Sequence, residues 1–245
     1  RNNKDSAVDF TPAIEVFKTL INEGRLDEYS SKEGGYNRTP FENNAKPGEL
    51  AKQVSKLKID ALRTLQPNDA FLSVINAMPP GYQLFTADKE LVKPANNNTC
   101  EHAIKFLDGG WFEDYVYTIF KSVLGKAPYI IYKNWRIDKE GWTTDFELDV
   151  IILKGYQLIG VSCTTSAHKD TCKNKGFEII HRTTQIGGDE AKAIILTGLC
   201  SDQTNNLQEE LTLETGSTSS DILALGKDDW KEEILKSEIN RFLEG

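Results

Sequence analysis

Apolar residues recur at helical spacing through much of the first hundred positions. Thr11-Pro12 is a favourable helix start, and apolar side chains follow it three or four positions apart until Gly24 ends the run. The same spacing predicts helices over 49–65 and 68–77. Residues 31–48 are rich in Gly, Asn, Ser and Pro, which predicts a long loop between the first two helices.

The pattern changes after residue 100, where short apolar runs alternate with turn residues. The predicted elements are a short helix over 101–107, a helix over 111–124, strands over 129–135, 144–153 and 156–163, a helix over 167–181, a strand over 193–196, a loop over 201–220, a strand over 222–225 and a last helix ending at 243. This order predicts an α/β domain with a mixed sheet that helices cover on both faces.

A polar stretch over residues 94–99 is the best linker candidate, because it combines Pro, Ala, Thr and three Asn residues. We therefore expect two parts: a helical connecting segment over 1–99 and the α/β domain over 100–245. The helical segment is also a candidate for dimerisation, and a homodimer is an expectation.

The amino-acid composition predicts a globular, cytoplasmic protein. The 245 residues are 39% hydrophobic and 27% charged, which is ordinary for a globular protein. No apolar run approaches the roughly 20 residues that a membrane helix needs, and the first residues lack the apolar core of a signal peptide. Four cysteines without a CxxC pair indicate reduced thiols in a cytoplasmic protein. The absence of an initial Met suggests a piece of a longer chain.

The net charge of −8 argues against an overall basic surface for nucleic acid. Residues 201–245 alone contain 4 basic and 11 acidic side chains, a net charge of −7. A local basic cluster is nevertheless present in the helix after the third strand: Lys169, Lys173, Lys175 and Arg182.

Acidic residues alternate along the second predicted strand. Asp145, Glu147 and Asp149 share one strand face, and Glu113 stands near the start of the preceding helix. Carboxylates that converge from a helix and an adjacent strand suit a hard divalent cation such as Mg²⁺. The alternative is a solvated strand face beside a Glu that interacts favourably with the helix dipole.

Three segments together resemble the restriction-endonuclease-like, or PD-(D/E)xK, superfamily. In chain order they are Gly109-Gly110-Trp111-Phe112-Glu113, Phe146-Glu147-Leu148-Asp149-Val150 and Val161-Ser162-Cys163-Thr164-Thr165. The chain is most similar to the nuclease domain of CRISPR-associated proteins that cyclic oligoadenylate activates through a separate sensor domain. The resemblance implies that Glu113 and Asp149 hold Mg²⁺ or Mn²⁺. It also implies a metal-dependent nuclease acting on DNA or RNA in antiviral defence, with any sensor domain outside this chain.

The third strand departs from that family. Active members usually carry Glu-x-Lys there, and by position these two residues correspond to Ser162 and Thr164. The resemblance therefore adds Ser162 and Thr164 to Glu113 and Asp149 as candidate catalytic residues. The exchange removes one anionic metal ligand and one positive charge near the attacked phosphate, so slow cleavage is expected. Candidates to replace them are Glu147 and the basic residues His168, Lys169 and Lys173.

Two alternatives to an active nuclease stay open. One is a catalytically inactive domain of the same fold that binds nucleic acid or acts as a scaffold. The other is an unrelated interaction module, which a large separation between Glu113 and Asp149 would favour. Trp135 and Trp142 flank the first turn of the strand meander, where they either stack on bases or cover the edge of the core.

Overall fold

The computed structural model describes residues 8–30, 66–86, 88–92, 97–125, 129–137 and 146–244. The chain forms two compact units, residues 1–111 and 112–245. Several predicted features lie outside the described residues: the loop over 31–48, the helix over 49–65, the first half of the linker (94–96), Trp142 and Asp145. Within the described parts of the chain, no helix is both long enough and apolar enough to cross a membrane.

The first unit is helical in its described parts. Its helices are α1 (Thr11–Asn22), α2 (Leu26–Tyr29), α3 (Asp69–Ala77) and α4 (Asn97–Lys105), and a π-helical turn, Phe106–Gly110, follows α4. Asn68 caps α3 as its position predicts, since its side-chain oxygen accepts a 2.8 Å hydrogen bond from the Phe71 N–H.

Aromatic packing ties residues beyond 100 into the first unit. The rings of Phe17 and Trp111 stack with centroids 4.0 Å apart, and the Tyr29 hydroxyl donates a 3.1 Å hydrogen bond to the Leu107 carbonyl. The chain turns at Gly109, whose φ of 146° is a backbone conformation that glycine adopts readily and that residues with a Cβ atom rarely adopt. The compact units therefore divide after Trp111, whereas the boundary predicted between residues 99 and 100 falls inside α4.

The second unit is an α/β domain, as predicted. Its elements are α5 (Trp111–Leu124, of which all but the first residue belong to this unit), β1 (Tyr129–Ile137), β2 (Phe146–Lys154), β3 (Gln157–Cys163), α6 (Lys169–Gly187), β4 (Lys192–Leu196), α7 (Ser201–Thr215), β5 (Ile222–Leu225) and α8 (Glu232–Glu244). The five strands form one mixed sheet in the order β1-β2-β3-β4-β5. β1, β2 and β3 are antiparallel neighbours, whereas β4 and β5 continue the sheet in parallel with β3.

The predicted hairpin between β2 and β3 is confirmed. Lys154 pairs with Gln157 across the turn, and Gly155 adopts a φ of 62°. A left-handed conformation of this kind is disfavoured for residues with a Cβ atom, so the glycine fixes the turn and with it the register of the two strands.

The loop predicted over residues 201–220 is wrong, because most of this segment forms α7. β4 and β5 are parallel, so the chain must cross back between them, and a helix is the usual crossover. Only a narrow stripe of α7 is buried, at Thr204, Leu207 and Leu211. The polar residues outside this stripe conceal the helical period in the sequence.

Two glycines bring α6 close to its neighbours. A Cβ atom on Gly160 of β3 would lie 2.1 Å from the Thr183 Oγ1 atom and 3.0 Å from the Ile179 Cδ1 atom. A Cβ atom on Gly176 would lie 2.6 Å from a methyl carbon of Leu211 in α7. α6 therefore packs against the sheet and against α7 at distances that no larger residue permits at these two positions.

Candidate active site

Asp149 lies where the regular pairing of β2 is interrupted on both sides. Counted from the hairpin turn, the last pair between β2 and β3 is Val150 with Val161. The next residues on the two strands, Asp149 and Ser162, are not paired with each other. On the other side, the β1–β2 pairing skips Asn134, the residue that the register places opposite Asp149. The sheet is thus locally open at the predicted metal ligand.

The Asp149 carboxylate uses hydrogen-bond donors that the interrupted pairing makes available. The Cys163 N–H donates a 2.6 Å hydrogen bond to Oδ2 of Asp149, and the Ser162 hydroxyl lies 3.4 Å from the same oxygen. These contacts orient the carboxylate at the end of β3. Ser162, predicted as a catalytic position, therefore lies beside Asp149 as a weak hydrogen-bond donor.

Burial raises the pKa of the Asp149 carboxyl above its ordinary value, and the negative charge of Glu147 acts in the same direction. The Cys163 N–H, the positive charge of Lys175 and the Ser162 hydroxyl act against this rise. Burial remains the largest effect, so the site holds a carboxylate whose negative charge is incompletely balanced. A bound cation would complete that balance.

Glu113 and Asp149 act on the same buried thiol. Burial raises the pKa of Cys163 well above its ordinary value, and the charges of Asp149 and Glu113 raise it further. Glu113 at the start of α5 and Asp149 on β2 thus both act on a thiol at the end of β3. That the two carboxylates share one metal ion stays a prediction.

A narrow cleft opens beside Asp149 between β2, β3 and α6. Its lining residues are Glu147, Leu148, Asp149, Val161, Ser162, Lys175, Glu178 and Ile179. The space available to a water-sized sphere is about 30 Å³, which is room for one or two waters or an ion.

Lys175 and Glu178 bring a positive charge and a carboxylate into the cleft from α6. In the sequence, Lys175 belongs to a basic cluster that was not assigned to the site, and Glu178 was missed entirely. The sequence does indicate that Lys175, Glu178 and the apolar Ile179 share one face of the helix, because they are three and four residues apart. Which face points at the sheet was not visible in the sequence.

The basic residues that were predicted to replace the missing lysine are engaged elsewhere. Lys169 forms an ion pair with Glu210, and Lys173 pairs with Glu210 at 3.1 Å and with Glu214 at 2.7 Å, both on α7. Neither lysine lines the cleft. The prediction that Lys169 or Lys173 reaches the site is therefore wrong, because the acidic face of α7 holds both side chains.

Thr164 also lies away from the cleft. Its N–H donates a 2.8 Å hydrogen bond to the Leu196 carbonyl, and its hydroxyl accepts one of 3.2 Å from the Ser166 N–H. Thr164 thus stabilises the chain after β3 and does not line the cleft, although it occupies the position of the family lysine.

The available donors fit a magnesium-type ion better than a zinc-type ion. Among the described residues, no group of three or more His, Cys, Asp or Glu side chains is arranged to hold a metal. Mg²⁺ commonly needs only one or two protein carboxylates, and water and substrate oxygens complete its shell. Asp149 and Glu113 carry oxygen donors of this kind, and their role as metal ligands stays a prediction.

No protein family model and no curated protein matches the chain. Among solved structures, Can2 from Sulfobacillus thermosulfidooxidans in complex with cyclic tetra-adenylate aligns with a TM-score of 0.57 and 16% identity, covering 95% of this chain and 54% of Can2. Protein VC1899 from Vibrio cholerae aligns with a TM-score of 0.51 and 15% identity, covering 96% of this chain and 52% of VC1899.

The chain therefore spans about half the length of these two structures. At sequence identities this low, the structural likeness establishes a shared fold and nothing further. Helix, antiparallel three-stranded meander, helix and parallel fourth strand follow in the order that the sequence resemblance implies. The predicted α/β fold with a mixed sheet is confirmed, and the chain shares its fold with Can2 and VC1899. The assignment to the restriction-endonuclease-like superfamily stays a prediction.

Proposed function

We propose that this chain is a metal-dependent nuclease domain whose missing Glu-x-Lys pair is replaced from α6. The observation that carries the proposal is the presence of Lys175 and Glu178 in one cleft with Asp149. A positive charge beside a half-buried carboxylate suits phosphodiester cleavage, since the site must offset the charge that builds up on the attacked phosphate.

Glu113 and three residues of the cleft have distinct roles in this proposal. Asp149 and Glu113 would hold Mg²⁺ or Mn²⁺, and the bound ion would polarise the phosphate and lower the pKa of a water. Lys175 orients the phosphate and neutralises part of its charge. Glu178 is one helical turn from Lys175 and supplies the carboxylate that Ser162 lacks, either to position the water or to accept its proton.

The substrate class in this proposal is DNA or RNA, and the setting is CRISPR-linked antiviral defence. The likeness in fold to Can2, which was solved with cyclic tetra-adenylate, supports that setting. Nucleotide sensing would then belong to a domain outside this chain, and two copies would assemble as a homodimer.

The sharpest test compares two lysines of α6. Lys175 lines the cleft, whereas Lys173 is held by Glu210 and Glu214. With Mn²⁺ and plasmid or single-stranded substrates, Lys175→Ala should lower cleavage by about 10²–10³-fold, the usual effect of losing one preorganised electrostatic group. Lys173→Ala should leave cleavage close to that of the wild type.

Conservative substitutions at Lys175 separate charge from structure. If the positive charge of Lys175 is what cleavage needs, Lys175→Arg should keep more activity than Lys175→Ala, whereas Lys175→Gln should not. Wild-type cleavage that survives Asp149→Ala would refute the placement of the site. Absence of both Mn²⁺ binding and cleavage in the wild type would favour the inactive scaffold.

A further inference from the structure

The edge strand β1 presents an exposed aromatic pair next to the cleft. Tyr132 and Trp135 are each 40% exposed, although large aromatic residues are usually buried. Their ring centroids are 4.3 Å apart and their planes meet at 86°, so the two side chains form one edge-to-face unit.

The conformation of Asn134 explains how these two rings meet. In a regular strand, residues three apart point to opposite faces of the sheet. Asn134 interrupts that alternation with a φ of 51°, a left-handed conformation that Asn tolerates better than most residues. Unusual backbone conformations of this kind persist where the surrounding structure or function requires them. Here the turn at Asn134 brings Tyr132 and Trp135 to the same side.

The register places the aromatic pair directly beside the cleft. Trp135 pairs with Leu148, and Arg136 pairs with Glu147; both partners on β2 line the cleft. Neighbouring strands are about 4.8 Å apart, so the aromatic pair lies within about one or two nucleotides of Asp149. The Arg136 side chain is 68% exposed, and its guanidinium lies 3.9 Å from the Glu147 carboxylate at the edge of the cleft.

We propose that Tyr132 and Trp135 bind an unpaired base of a single-stranded nucleic acid, with Arg136 contacting the adjoining phosphate. This inference rests on the proposed nuclease function and specifies its substrate. Bases inside a duplex are stacked on each other, so only an unpaired base can insert against protein aromatic rings. The chain has a net charge of −8, which disfavours binding by a broad positive surface and makes stacking the main source of affinity.

Binding is measured without metal, so that the result does not depend on cleavage. Fluorescence anisotropy in EDTA compares a labelled single strand of about twelve nucleotides, as DNA and as RNA, with a duplex of the same length. The single strands should bind more tightly than the duplex. Tyr132→Ala and Trp135→Ala should each weaken single-strand binding about tenfold, the effect expected when one stacked base is lost.

Variants at Asn134 test the geometry of the aromatic pair. Asn134→Gly permits the left-handed conformation and should bind like the wild type, whereas Asn134→Val disfavours it and should weaken binding as Trp135→Ala does. Tyr156, which is fully exposed at the β2–β3 turn, provides a matched aromatic control, and Tyr156→Ala should have no effect.

Equal affinity for duplex and single strand, or unchanged binding in Trp135→Ala, would overturn the proposal. A change of oligomeric state in Trp135→Ala without a change in binding would also overturn it, by assigning this edge to a second copy of the chain. Intact binding without any Mn²⁺-dependent cleavage would support the aromatic site and remove the nuclease function. Cleavage that depends on Asp149 but is unaffected by Tyr132→Ala and Trp135→Ala would support the nuclease function and remove the aromatic site.

Discussion

Replacing Gly160 with Ala would test whether the close approach of α6 to the sheet assembles the cleft. The new Cβ atom would lie 2.1 Å from the Thr183 Oγ1 atom and 3.0 Å from the Ile179 Cδ1 atom, well inside the roughly 3.5–4.0 Å of favourable contact. A new rotamer of Thr183 would break its 2.6 Å hydrogen bond to the Ile179 carbonyl and leave the Ile179 contact in place, so we expect α6 to shift outward, by up to about 1 Å. Overpacking of this kind should lower the free energy of unfolding by about 1–3 kcal/mol.

The shift should affect activity more than stability. Lys175 belongs to α6 and Asp149 to β2, so an outward movement of the helix separates the two groups. Misplacement of catalytic groups by about 1 Å can lower a rate by up to about 10²-fold. We expect Mn²⁺-dependent cleavage per folded molecule to fall at least about tenfold in Gly160→Ala, with folding measured by chemical denaturation.

Two further variants separate the effects. Thr183→Ala removes the atom in closest contact, so in a double-mutant cycle it should recover about 1 kcal/mol of the loss caused by Gly160→Ala. Gly155→Ala has open space around its Cβ position but a φ of +62°, so it should cost about 1 kcal/mol through backbone strain and leave α6 in place. If Gly160→Ala were as stable as the wild type, or as active per folded molecule as Gly155→Ala, the reasoning would fail.

Two other predictions concern stability. Because burial raises the pKa of Asp149, its charge destabilises the folded state at pH values above that raised pKa, so Asp149→Asn should increase the melting temperature at pH 7 in metal-free buffer. The gain should vanish near about pH 3, where both states bind the proton, and Mn²⁺ should raise the melting temperature of the wild type but not of the variant. Leu207→Ala should lower the free energy of unfolding by about 2–4 kcal/mol, because Leu207 is fully buried on the inner face of α7. Leu213→Ala on the exposed face of the same helix should change it by less than about 0.5 kcal/mol. Equal effects of the two leucine variants in a denaturant titration would contradict the observed face of α7.

The local features of the fold were predictable because they depend on neighbours in the sequence. Asn68 caps α3 through an N–H only three residues away, and Gly155 sets the β2–β3 turn by its own backbone conformation. The alternation of acidic and apolar residues along β2 likewise indicates Asp149 as a candidate metal ligand. Each of these signals acts within one element or one turn, so periodicity and residue type suffice to predict it.

The composition of the cleft depended on contacts that no local pattern contains. α6 turns Lys175 and Glu178 toward Asp149 because Gly160 and Gly176 permit close packing on two sides of the helix. The same helix turns Lys173 toward the carboxylates of α7.

α7 itself was missed because the narrow apolar stripe of this helix becomes meaningful only once β4 and β5 are known to be parallel. The Tyr132–Trp135 pair was hidden for a related reason, since residues three apart diverge in a regular strand. Short-range periodicity and turn chemistry in the sequence determined every element of the second unit except α7, and they marked Asp149 as a candidate metal ligand. The tertiary structure decided which charges meet in the cleft, because close approach between elements selects one face of each helix and strand.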